Sequence, residues 1–174
     1  YSSLSIFYVM WPFIIQARLH HSPAFFGRCA GIIGCAWLAG NLLIKLFSIK
    51  QWKLQIKQAI GILMLVCVLA YALYPRLSLL QCYMGFLIFF ITVNACIFPT
   101  MFAYCLNKSR DIAGTVSAVT GAGFWFFGGI ASMLASQVNI HVTRNIFHVY
   151  SCLTLLMLIA YLFYVPKDSA IRSE

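Results

Sequence analysis

Carboxylates are nearly missing from this chain. Its 174 residues hold three acids, Asp111, Asp168 and Glu174, and none lies inside a long apolar run. Asp111 sits beside Lys108 and Arg110, and the other two are in the C-terminal tail. This removes the intramembrane carboxylate with which many ion-driven carriers bind a proton, and it leaves no pair of acids for general acid–base work. HExxH, GxSxG and a P-loop are also missing, so an enzyme is not expected and the chain does not hydrolyse nucleotides itself. The seven cysteines are odd in number, scattered and without CxxC spacing. Small apolar filler is the expected role, not disulfides or metal ligation. His20, His21, His141 and His148 gather towards one side of the apolar runs but show no ligand spacing, so no metal and no cofactor is expected.

What is abundant is apolar. Hydrophobic residues make up 63% and the mean hydropathy is +0.91; no water-soluble domain of this size hides so much apolar surface. A bilayer core is roughly 30 Å thick and takes about 20 helical residues to cross. Six runs are read as spanning helices, over 2–16, 26–47, 59–75, 77–106, 112–138 and 146–165. The first is short, and Tyr1 is already inside it, so its missing turns are expected upstream. The fourth and fifth are long enough to tilt or to project from the bilayer.

The net charge of +9 is distributed as a topology signal rather than as a nucleic-acid patch. Lys45, Lys50, Lys53, Lys57, Lys108, Arg110, Lys167 and Arg172 fall on one side; Arg18, Arg28, Arg76 and Arg144 fall on the other. Cytoplasmic loops carry the Lys/Arg excess, so both chain ends are expected in the cytoplasm. The Lys50–Lys57 stretch is a secondary candidate for anionic lipid head groups.

Two triplets of helices emerge at an offset of 87 residues. Pro12 then falls on Pro99, Gly27 on Gly114 and Gly34 on Gly121, and the run 59–75 lands inside 146–165 without a gap. An odd number of helices per repeat makes the copies inverted, which is a transporter signature. The expected repeats are 1–75 and 76–174. The first helix of each triplet carries the proline. A matched pair of interrupted helices points to a binding site, although prolines are tolerated in membrane helices.

The second helix of each triplet is rich in small residues. Gly27, Gly31, Cys35 and Ala39 share one face; Gly114, Ala118 and Ala122 share another; Gly128, Ser132 and Ser136 a third. Such stripes let backbones approach closely, either within the bundle or against a partner bundle. Gly128–Gly129 is in addition a candidate bend. Among the few polar residues inside the runs, Asn94 stands five residues before Pro99 and needs a partner or water. It either meets a substrate or ties two helices together. Aromatics gather near the prolines, with Tyr8 and Trp11 beside Pro12 and Phe90 and Phe98 before Pro99. An aromatic, weakly polar cavity suits amphipathic or cationic organic molecules, while aromatics facing lipid or neighbouring helices are the ordinary alternative.

The stretch Phe7-Tyr8-Val9-Met10-Trp11-Pro12-Phe13-Ile14-Ile15-Gln16, followed by Ser22-Pro23-Ala24-Phe25-Phe26-Gly27, resembles the seventh helix and following loop of Bcr/CflA drug-resistance transporters of the major facilitator superfamily. Ile112-Ala113-Gly114-Thr115-Val116-Ser117-Ala118, with Gly121, resembles the start of their eleventh helix. Asn94 and Pro99 sit where their tenth helix would run. Gly40-Asn41-Leu42-Leu43-Ile44-Lys45 lies where a basic gating motif sometimes occurs, in a badly degraded form.

The resemblance implies an all-α integral membrane lobe, six transmembrane helices in two inverted three-helix repeats, matching helices seven to twelve of a proton-driven exporter of drugs or other small organics. The implied partners are a small-molecule substrate, protons, the lipid bilayer and an N-terminal lobe of the same chain, which would hold the coupling site; no nucleic acid is implied. The implied location is the inner (plasma) membrane. Substrate-cavity candidates are Tyr8, Trp11, Pro12, Phe90, Asn94, Phe98 and Pro99. Candidates for packing against the other lobe are Gly27, Gly31, Cys35, Gly114, Ala118, Gly121, Trp125 and Gly128. A stand-alone six-helix half-transporter acting as a dimer, and a non-transport membrane subunit, are the alternatives.

Overall fold

A computed structural model describes residues 1–46, 52–73, 79–138 and 143–170. Lys50, Arg76, His141, Arg172 and Glu174, used above for charge placement and as a metal candidate, lie outside them. The described residues form an all-α structure with no strand. Its helices are α1 (Ser2–Phe13), α2 (Pro23–Leu46), α3 (Trp52–Leu73), α4 (Leu79–Lys108), α5 (Ala113–Ser136) and α6 (Thr143–Ala170). Five are long and apolar enough to cross a membrane. The chain is a multi-pass helical membrane protein. The first helix falls short of the other five: its apolar helical stretch, Ser2–Ala17, rises only roughly 24 Å at 1.5 Å per residue.

Helix ends follow local chemistry. Pro23 opens α2, where its missing N–H costs nothing, and the Phe25 amide bonds back to the Ser22 carbonyl at 2.9 Å. Helix α3 starts seven residues before the expected apolar run. Lys53, Gln55, Lys57 and Gln58 are good helix formers and extend the helix beyond its apolar part. A short 3₁₀ turn, Arg110–Ile112, leads into α5. The backbone is α-helical through Gly128–Gly129, so the expected bend there is not seen as a break in α5.

The two prolines act differently. Both lie inside helices. After Pro12 the backbone widens into a π-helical turn, Ile14–Arg18, with Leu19 bonding to the Ile14 carbonyl and His21 to the Ile15 carbonyl, each at 3.0 Å. A proline removes one donor and crowds the preceding turn, and a π turn is one way to accommodate that. His20, at φ 54°, then ends the helix in the left-handed region. Helix α4 continues as α through Pro99.

The most extensive helix pairings are α2 with α4 and α1 with α5, followed by α3 with α4 and α3 with α6. In the first, Thr92 donates to the Ala36 carbonyl at 3.3 Å and Cys96 to the Gly40 carbonyl at 3.1 Å. Both links join residues 56 apart, so α2 and α4 run parallel. Gly40 makes this possible: a Cβ there would run into the Thr92 carbonyl and the Ala95 methyl. Helices α1 and α5 also run parallel, Tyr1 stacking near Phe124 and Ser5 meeting Gly128. A Cβ on Gly128 would lie 2.7 Å from the Ser5 hydroxyl. Without a hydrophobic force between helices in lipid, such close backbone approach is what holds a pair together.

Helices α3 and α6 run antiparallel. The Tyr71 hydroxyl and His148 Nδ1 are 2.8 Å apart at one end, Cys67 Sγ and Thr154 Oγ1 are 3.9 Å apart in the middle, and the Tyr161 hydroxyl donates to the Lys53 carbonyl at 3.4 Å at the other end. The core is aromatic. Tyr83, Phe86, Phe90, Phe147 and Tyr150 interlock across α4 and α6, with ring centroids 5.1–5.5 Å apart.

Candidate functional site

A second aromatic cluster lies where α1, α2, α4 and α5 meet. Phe98 is its hub, with its ring 5.8 Å from Trp37 on α2, 4.8 Å from Phe124 on α5 and 6.1 Å from Phe102 on its own helix. Tyr1 joins from α1, 6.1 Å from Phe124 and 5.3 Å from Trp125. Unlike the α4–α6 core, these rings are only half-buried, apart from Trp125, which is exposed. Four helices thus present one continuous weakly polar aromatic wall. Offset and edge-on ring pairs of this kind hold their geometry by quadrupole complementarity.

The expected cavity residues separate into two groups. Phe98 belongs to this wall, with Pro99 beside it and half-buried; Pro12 is half-buried and Tyr8 exposed on α1. Trp11 and Phe90 belong to the interior instead. Trp11 is fully buried, edge-on to Tyr83 at 5.5 Å, and its indole N–H has no hydrogen-bond partner. Phe90 packs against Phe86 and Tyr150. Asn94 is buried, and its amide donates to the Phe90 carbonyl of its own helix at 2.9 Å. That bond occupies one of the two amide hydrogens and stays within α4 rather than tying two helices together. Asn41 does the same with Trp37 at 2.8 Å, as does Thr120 with Val116 at 2.6 Å.

The small-residue candidates also divide. Gly27, Gly31 and Cys35 on α2 and Gly114 and Ala118 on α5 are exposed, and Gly121 is half-buried. A Cβ at any of the four glycines in that group would meet nothing within 4 Å. Packing inside the bundle therefore does not account for them. Gly128 is the exception, because it is spent on contact with α1 rather than held on a free face. Trp125 is 72% exposed and the neighbouring Phe126 and Phe127 nearly as much, so the middle of α5 projects a broad aromatic surface.

Tyr1, Trp37, Phe102 and Phe124 of the wall are not among the expected cavity residues. The signal for Trp37 was present: it stands 87 residues before Phe124, the offset of Pro12 and Pro99, and both rings pack on Phe98. Tyr1 has no such marker. Among the described residues no group of three or more His, Cys, Asp or Glu side chains is placed to hold a metal ion. No protein-family model, curated protein or solved structure matches the chain.

Proposed function

We propose that this chain is one six-helix lobe of a secondary transporter of the major facilitator type, similar to the C-terminal half of the Bcr/CflA exporters, and that it works by rocking against a second lobe. The substrate is a small organic molecule held partly on the Phe98 wall. The exposed stripes of α2 and α5 face the second lobe, protons drive the cycle through a carboxylate of that lobe, and both ends of this chain face the cytoplasm of a plasma membrane.

The observation that carries this is a matched pair of helix contacts. Exchanging α1 with α4, α2 with α5 and α3 with α6 turns the α1–α5 pair into the α4–α2 pair, and these are the two most extensive pairings; among the described residues the α3–α4 pair has no α6–α1 counterpart of similar extent. The contact points agree as well. Gly40 meets Thr92 and Gly128 meets Ser5; Thr92 and Ser5 are 87 residues apart, and the glycines 88. Two three-helix units related by an inverting two-fold axis would produce this, and inverted repeats are the architecture of alternating access. The sequence resemblance favours this family, and the free small-residue stripes offer a surface on which a second lobe would move.

The first test is the size of the native polypeptide, detected with an antibody against Lys167–Glu174. A product about twice this length is expected, as 12 spans of about 20 residues plus loops require, with proton-coupled flux in proteoliposomes. A product of this size alone, self-crosslinking through Cys35, would replace the reading with a dimeric half-transporter.

A further inference from the structure

Consecutive helices α5 and α6 splay apart, and α1 closes the bottom of the gap between them. The result is a groove of about 590 Å³. Ile6 lies on its floor, Ile130 and Leu134 on the α5 wall, and Val149, Leu153 and Leu156 on the α6 wall. On the helical walls the polar lining is Asn145 and His148, in the first two turns of α6, while Ser2 adds one hydroxyl on the floor towards the other end. Arg144, exposed, directly precedes Asn145.

We propose that this groove binds one acyl chain of an anionic phospholipid, with the lipid phosphate at the Arg144–His148 end. Three features select this occupant. The first is length. From Asn145 to Leu156 the α6 wall rises roughly 16 Å at 1.5 Å per residue, and half of a roughly 30 Å hydrocarbon core is about 15 Å. The groove therefore runs from one interface to the midplane, the depth of one leaflet. The second is polarity, since the apolar walls end in polar groups at the interface, in the order of a lipid's own chain and head. The third is charge. Arg144 stands at that end, and the sequence holds no acid between Asp111 and Asp168 to neutralise it. A fixed cation at the membrane surface favours an anionic head group. The proposal requires only that α6 spans the bilayer, and it stands whether or not the chain transports anything.

The test uses the purified chain in detergent, titrated with phosphatidylglycerol or with phosphatidylcholine of the same acyl chains and observed by native mass spectrometry. One retained phosphatidylglycerol is expected, bound about fivefold more tightly than phosphatidylcholine, the ratio that about 1 kcal/mol per basic residue gives. Arg144→Gln should abolish the preference while leaving the helical circular dichroism unchanged. Cys152, exposed and on the groove lining, provides a second readout. Bound phosphatidylglycerol should slow its alkylation by an apolar maleimide and leave that of Cys105 unchanged, and Cys152→Trp should release the lipid. Equal retention of the two lipids, a preference that survives Arg144→Gln, or alkylation of Cys152 insensitive to lipid would overturn the proposal. Oxidative dimers through Cys152 would assign the groove to a second copy of the chain.

Discussion

Cys67 and Thr154 touch across the α3–α6 pair, Sγ to Oγ1 at 3.9 Å, and they are 87 residues apart in the chain. That is the spacing at which Pro12 falls on Pro99. A residue in contact with its own counterpart lies on the axis that relates the two copies, so in the proposed repeat the two-fold passes between these side chains. Thr154 also donates to the Tyr150 carbonyl of its own helix at 2.9 Å, and both side chains are buried. Replacing Thr154 by Cys should therefore give a disulfide with Cys67 on mild oxidation, as the two side-chain tips need only close to the roughly 2 Å of an S–S bond. The expected product is an intramolecular crosslink that speeds migration on a non-reducing gel and protects two thiols. Failure to crosslink, with Cys67 still titratable after unfolding, would mean that α3 and α6 do not meet at this register.

Gly40 and Gly128 should be the two glycines least tolerant of a side chain. Gly40→Leu and Gly128→Leu each force a helix pair apart, and overpacking of this kind costs about 1–3 kcal/mol. Gly31→Leu, on a face with nothing within 4 Å, should change stability by less than about 0.5 kcal/mol in the isolated chain. Unfolding of the purified protein in mixed micelles measures all three. Equal losses would show that the free stripe of α2 is packed after all.

Thiol reactivity should follow the packing. Cys35, Cys105 and Cys152 are exposed, whereas Cys29, Cys67 and Cys82 are buried. Pulsed alkylation of lipid-stripped protein in detergent should label the first three quickly and the others only after unfolding. Cys29 and Cys35 are the sharpest comparison, since they share α2 and occupy different faces of it. In a complete two-lobe protein Cys35 should become slow while Cys105 stays fast. Unchanged labelling of Cys35 there would remove the α2 stripe from the proposed interface.

The membrane class and most helix limits were legible in the sequence because apolar run length is a direct consequence of bilayer thickness. The start of α3 was not, since Lys53 to Gln58 are polar and hydropathy cannot tell a polar helical turn from a loop. The short stripes were legible as stripes, but their neighbours were not. Gly27, Gly31 and Gly128 look alike in the sequence, yet only Gly128 meets another helix, because that depends on which face α1 occupies. The same limit applies to aromatics. Phe90 and Phe98 are two turns apart on α4, and the sequence alone assigned both to the cavity. Rotation about the helix axis sends Phe90 towards Tyr150 on α6 and leaves Phe98 among Trp37 and Phe124.

That difference yields the most discriminating substitution pair. Phe90 is 1% exposed and surrounded by other rings, so Phe90→Ala leaves a cavity in the core and should cost about 3–5 kcal/mol of stability, with expression falling accordingly. Phe98 is only half-buried, tilted against Trp37 and Phe124 and stacked on Phe102, so Phe98→Ala should cost distinctly less while removing the centre of the aromatic wall. In a complete transporter, Phe98→Ala should then depress flux of an aromatic substrate at normal expression, and Phe98→Tyr, which keeps the ring, should restore most of it. Phe90→Ala should lower flux only in proportion to the protein lost. Flux per folded molecule, measured in proteoliposomes against helical content, separates the two effects. Full flux from Phe98→Ala for every substrate tested would show that the wall packs helices and does not contact cargo.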